Sequence, residues 1–178
     1  MSRRKAYTRT SQILHMVVAT IVIFMLSVSF FMGDVPDNYK GLVYTLHKSF
    51  GLTVLFLMMY RILWIFLKGR PELPKDTPRW EFLLARFVQY GFYILLIIMP
   101  LSGWIMSVAA NKSPSYFWLF TAKLPLEPNK ALAGFMNESH EWLAWVIVVF
   151  VVLHIAGALK HLFINKDDVV KRMFVNQK

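Results

Sequence analysis

The chain has no cysteine among its 178 residues. That absence excludes disulfides, thiolate metal sites, iron–sulfur clusters and the CxxCH attachment of a c-type haem. Acid is scarce as well, with ten Asp and Glu against twenty Lys and Arg and a formal net charge of +10. An excess of that size suits nucleic acid when it forms a basic face. Here the cations lie between apolar runs and build no separate basic domain, so nucleic acid is not the expected partner. Neither an internal repeat nor a second domain is visible, and residues 1–178 read as one unit. What the chain has in quantity is apolar residues, 57% of the total. A soluble domain is already about half apolar, so the distribution of these residues says more than their number.

They gather into four long runs, at about 12–32, 42–67, 82–109 and 138–164. Roughly 20 apolar residues cross a hydrocarbon core ~30 Å thick, so each run is long enough to span a membrane. The basic N-terminus MSRRKAYTRTSQ leads into the first run with no small-residue cleavage site after it, which reads as a retained span. Pro100 predicts a kink in the third. The short acidic connection 33–41 makes spans one and two an antiparallel hairpin. GRPELPKDTPRW, with three prolines, is a polar loop, and 111–137 is long enough to include a short surface helix. The expected fold is all-α, an integral membrane four-helix bundle.

Lys and Arg set its orientation. The N-terminus, the loop between spans two and three, and the C-terminal tail, with the adjoining helix ends, hold fifteen of the twenty. The other side holds Lys40, Lys48, Lys112, Lys123 and Lys130. The positive-inside rule places both termini in the cytoplasm of a bacterial inner membrane.

A titratable side chain inside a bilayer is expensive, so each one needs a reason. His15, His47, His140 and His154 fall inside spans or at their mouths. His140 and His154 are fourteen residues apart, just under four turns, so they share a helix face with ~21 Å between them along the axis. His15 lies a few residues inside the inner end of span one, and His47 a similar depth inside the outer end of span two. Two layers result: His47 with His140 toward the periplasm, and His15 with His154 toward the cytoplasm. Each pair suits a haem b bound axially by two neutral imidazoles. A zinc or copper site needs three or four ligands at one point, which two layers do not provide. Scattered histidines satisfied by the bundle are the plain alternative, and depth pairing argues against it. A histidine proton relay is another, but the spans carry no buried acids to partner it.

Other polar residues follow the same frame. Arg61, fourteen residues after His47, lies at the inner layer, where it either pairs with a haem propionate or snorkels to the inner surface. Lys48 has the same two options at the outer layer. Glu141 either orients a histidine or favours its helix dipole. His161, seven residues past His154, is an alternative inner ligand or a neighbour of the inner haem. His161, Lys160 and Arg61 lie where a quinone headgroup approaches from the cytoplasmic side. Gly157 and Ala158 permit close helix contacts without specifying an oligomer.

The segments YTRTSQILHMVVA, HKSFGLTVLFLMMYRILW, PRWEFLLARFVQYGFYILLIIMPLSGWIMS and HEWLAWVIVVFVVLHIAGALKH together resemble the prokaryotic cytochrome b561 family over nearly the whole chain. The resemblance implies a four-helix di-haem fold and respiratory electron transfer, often with quinone. It also implies His15, His47, His140 and His154 as ligands, in agreement with their spacing. Two positions depart from the family: Met16, where members often have Trp, and Gln89, where many have His. Some members are similar to superoxide oxidases, which pass electrons from superoxide to ubiquinone, and the five outer lysines suit capture of a small anion. Two other functions fit the chain: a haem-bearing anchor linking a hydrogenase or dehydrogenase to the quinone pool, and a haem-free transporter or scaffold. Co-purification with a soluble subunit marks the first, and a colourless preparation the second.

Overall fold

A computed structural model describes residues 6–71 and 77–174. Four helices dominate it: α1 (Arg9–Ser29), α2 (Asp37–Lys68), α3 (Arg79–Ala109) and α4 (Lys130–Leu159). All four are long and apolar enough to cross a membrane. Large apolar side chains such as Phe66, Trp142 and Phe163 stand exposed on the outside of the bundle. A surface of that kind needs lipid around it.

Each helix starts a few residues before its apolar run, because caps and not hydropathy decide where a helix begins. Thr8 caps α1 by accepting from Ser11 N–H, and the Asn129 side chain caps α4 by accepting from Leu132 N–H at 2.9 Å. Pro36 and Pro78 precede α2 and α3, and α2 stops at Gly69, whose φ of +71° favours glycine. α1 correspondingly ends at Ser29, short of residue 32. α3 continues through Pro100 to Ala109. Past Leu159 the last helix widens into a π turn over Lys160–Asn165.

The connection after α3 corrects an expectation. In place of a surface helix it holds a two-stranded antiparallel hairpin, β1 (Ser115–Tyr116) and β2 (Phe120–Thr121), and α4 begins at Lys130 instead of 138. Pro114, Pro125 and Pro128 leave little room for a helix before Lys130.

The core draws on every helix. Val18 and Val22 of α1, Val54 and Met58 of α2, Leu96 of α3 and Ile147 of α4 form one buried cluster. Ile147 lies seven residues from both His140 and His154, so this core separates an upper histidine level from a lower one. The lower end carries both ends of the described chain, where Tyr7 N–H bonds the Arg172 carbonyl. The upper end carries the α1–α2 turn, the hairpin and the start of α4.

Candidate functional site

At the upper level the rings of His47 (α2) and His140 (α4) have centroids 6.2 Å apart, tilted 71° to one another. At the lower level His15 (α1) and His154 (α4) stand 5.9 Å apart at 67°. Two imidazoles that bind one metal from opposite sides, with metal–nitrogen bonds of about 2 Å, have centroids roughly 6 Å apart. Among the described residues no third His, Cys, Asp or Glu joins either pair to form a metal cluster. A macrocycle that brings its own equatorial ligands needs only the two.

The upper pair is finely supported. His140 Nδ1 lies 3.1 Å from the Met99 carbonyl and 2.9 Å from Ser102 Oγ, which itself donates to Met99 O at 2.7 Å. A carbonyl only accepts, so Nδ1 carries the proton and Nε2 keeps its lone pair, the form that ligates metals. Gly103 makes this approach possible, because a Cβ there would meet His140 Cε1 at 2.9 Å. Across the site, His47 Nδ1 is buried without a hydrogen-bond partner among the described residues. A buried polar atom in that state costs about 1–3 kcal/mol unless a group outside the chain completes it.

Between the rings opens a cavity of about 460 Å³, with His47, His140, Lys48, Gly51 and Trp104 in its wall. Cofactor-sized ligands occupy pockets of roughly 300–1,000 Å³. Gly51 lies one turn below His47, and a Cβ at this position would meet nothing within 4 Å. Lys48 Nζ donates to the Lys112 carbonyl at 3.0 Å at the cavity rim. Glu141 is exposed at the same rim, and orientation of His140 falls to Ser102 and Met99.

The lower pair rests on other supports. Phe92 meets His154 edge-on, with centroids 5.5 Å apart. Arg61 is only 8% exposed and its Nη1 reaches the Ser11 carbonyl at 3.4 Å, one turn before His15. Arg61 therefore stays inside the bundle and does not snorkel. Tyr7 lies nearby with its phenol pKa raised, because burial outweighs the opposing charges of Arg61, Arg86 and Arg70. Gln89 accepts from Arg86 at 3.0 Å.

His154, and not His161, is the residue that meets His15. His161 Nδ1 instead pairs with Asp167 Oδ2 at 2.6 Å, and Lys160 Nζ pairs with Glu81 Oε1 at 2.6 Å. For Asp167, burial acts to raise the pKa, yet the Val169 N–H and the His161 ring hold it below the ordinary carboxylate value. Sequence reasoning missed Ser102, Gly103, Gly51 and Asp167. Only the small-residue pair Ser102–Gly103 beside Trp104 hinted that something approaches α3 closely there.

Four apolar helices enclosing paired histidines at two depths describe a membrane cytochrome of b type. A model of prokaryotic cytochrome b561 matches residues 6–176. "Cytochrome b561 homolog 2" of Escherichia coli (strain K12) is 35% identical, over 94% of this chain and 90% of the relative. "Probable superoxide oxidase CybB" of Yersinia pestis is 30% identical over 90% of each. "Cytochrome b561 homolog 1" of Escherichia coli (strain K12) is 26% identical over 74% of each. The chain belongs to the prokaryotic cytochrome b561 family. As a member it is a multi-pass membrane electron carrier that binds haem b.

Proposed function

We propose that this chain holds two haems b, the upper between His47 and His140 and the lower between His15 and His154, and moves electrons between the two membrane faces. One observation carries the reading: two histidine pairs from three helices, each at the separation of ligands on opposite sides of one metal. Haem gripped in this way supplies one-electron transfer with both axial positions filled. The chain's own part is to present neutral imidazoles, to fix the His140 tautomer through Met99 and Ser102, and to exclude water with the core between the levels. The Lys and Arg bias supports a cytoplasmic lower end in a bacterial inner membrane.

Gly51 offers the sharpest test. A Cβ there would touch no protein atom and Gly51 lines the cavity, so Gly51→Leu directs its added atoms into the space an occupant would fill. The wild type should hold two haems per chain by pyridine haemochrome assay, and Gly51→Leu one, with thermal stability of the haem-depleted protein unchanged. A Gly51→Leu protein that still held two haems would exclude the upper site.

At the lower end, Arg61, Lys160 and His161 place polar side chains on the His15–His154 side of the bundle, which supports ubiquinone as the partner there. Asp167 accepts from His161 Nδ1–H and leaves Nε2 as the acceptor for a quinol hydroxyl. Replacing His161 by Ala should slow quinone reduction while both haem spectra persist; an unchanged rate would remove the assignment.

A second reading names the upper donor as superoxide. Lys48 at the cavity rim and the name of the Yersinia relative, a probable superoxide oxidase, favour it. Two superoxide anions yield two O₂ and two electrons, which with two protons reduce one quinone to quinol. Neutralising Lys48 and Lys112 should then slow superoxide consumption and flatten its salt dependence.

A further inference from the structure

From Ser113 to Ala122 the connection between α3 and α4 reads SPSYFWLFTA, with no charged residue, and Lys112 and Lys123 flank it. β1 and β2 lie within this stretch, and it folds down against the bundle. The register shows how far. Ser49 Oγ accepts from Phe117 N–H at 2.8 Å and lies 3.1 Å from the Ser115 carbonyl. Thr53 Oγ1 meets the Tyr116 hydroxyl at 3.2 Å, and Phe117 stacks edge-on against Phe50. Val54, in the central core between the histidine levels, is five residues from Ser49, or about 7.5 Å along α2. Half of a hydrocarbon core is ~15 Å thick. The turn of the hairpin is therefore at hydrocarbon depth, below His47.

Irregular backbone at that depth requires its polar groups to be satisfied by protein. The strands and the inner side of the hairpin meet that condition. Its strands pair Ser115 with Thr121 and Tyr116 with Phe120. Leu119 N–H bonds Tyr116 O, Ala122 N–H bonds Pro114 O, and Trp104 Nε1 donates to Ala122 O at 3.0 Å. Ser49, fully buried, closes the inner side. The tip is the reverse: Trp118, Leu119 and Phe120 are 60%, 76% and 55% exposed. Phe117 and Trp118 both hold positive φ, 44° and 62°, a conformation that bulky residues rarely adopt. Glycine or asparagine would relieve it in water; aromatic residues make sense where the surrounding medium is apolar.

We infer that this is a re-entrant membrane hairpin whose tip, Trp118–Phe120, is bound by acyl chains of the leaflet at the upper end. It acts as a lipid-anchored wall on the α2–α3 side of the upper cavity, which Pro114 helps to line. The inference depends on the membrane crossing and not on the haem assignment.

The cysteine-free sequence makes the test direct. Trp118→Cys and, separately, Glu127→Cys each give one attachment point for a nitroxide in phosphatidylcholine nanodiscs. At Trp118→Cys, dissolved oxygen should relax the spin label several-fold more than a water-soluble nickel chelate does. At the charged, exposed position of Glu127→Cys the order should reverse. Leu119→Cys repeats the reading should the first variant fail to fold. Nickel access at both tip positions equal to that at Glu127→Cys would overturn the inference.

Discussion

The upper pair, His47 with His140, and the lower pair, His15 with His154, present the same rings at nearly the same separation, yet the protein holds them by different means. Above, the chain grips a ring through hydrogen bonds and a missing side chain: Met99 O and Ser102 Oγ take His140 Nδ1, and Gly103 clears its path. Below, the supports are a phenyl edge from Phe92 and the buried charge of Arg61. The upper site is tuned by geometry and the lower one by charge. This difference should make the two levels respond to opposite kinds of substitution.

The largest effect should come from removing a proposed ligand. His140→Ala should empty the upper level alone and His154→Ala the lower level alone, each halving the reduced-minus-oxidised α-band absorbance. If either change removed both haems, the two levels would not be independent. Gly103→Leu follows, since its side chain must displace the His140 ring. It should abolish the upper component of the spectrum and spare the lower, whereas Gly103→Ala, with one atom to accommodate, should only weaken it. Arg61→Leu should act in the opposite region. Loss of a buried cation favours the oxidised state, so the lower midpoint potential should fall by roughly 60 mV, one tenfold step for a single electron. Redox titration should find the upper potential unmoved.

The smallest effect lies at the lower rim. The Asp167 carboxyl is held below its ordinary value. Its contribution to stability is therefore complete above the unfolded-state value of about 4 and is lost as pH falls through the folded one. Asp167→Asn should flatten the acid limb of a plot of Tm against pH below about pH 4 and leave the neutral region nearly unchanged. A steep acid limb retained in this variant would assign it to other carboxylates.

Much of this was legible in the linear chain, for physical reasons. A bilayer demands long uninterrupted apolar runs, so the four helices could be counted directly. Histidine is costly in hydrocarbon, so its positions stood out, and a fourteen-residue interval places two of them on one helical face whatever the packing. Helix ends were less legible, because Thr8, Pro36, Pro78 and Asn129 lie in polar segments that a hydropathy reading passes over. The hairpin was illegible as a hairpin. Its turn uses Phe117 and Trp118 where glycine or asparagine would announce one, and its stability comes from Ser49, sixty-six residues before Ser115.

By itself the sequence determined four spans, two histidine levels and the bias of Lys and Arg toward one end, because these follow from local period, run length and the cost of burying charge. Only the tertiary structure decided that His154 and not His161 faces His15, that Arg61 stays inside, and that α3, which supplies no histidine, orients one through Met99, Ser102 and Gly103. Those choices depend on which helix faces meet across the bundle. Contacts between residues distant in the chain set that, and no local pattern encodes it.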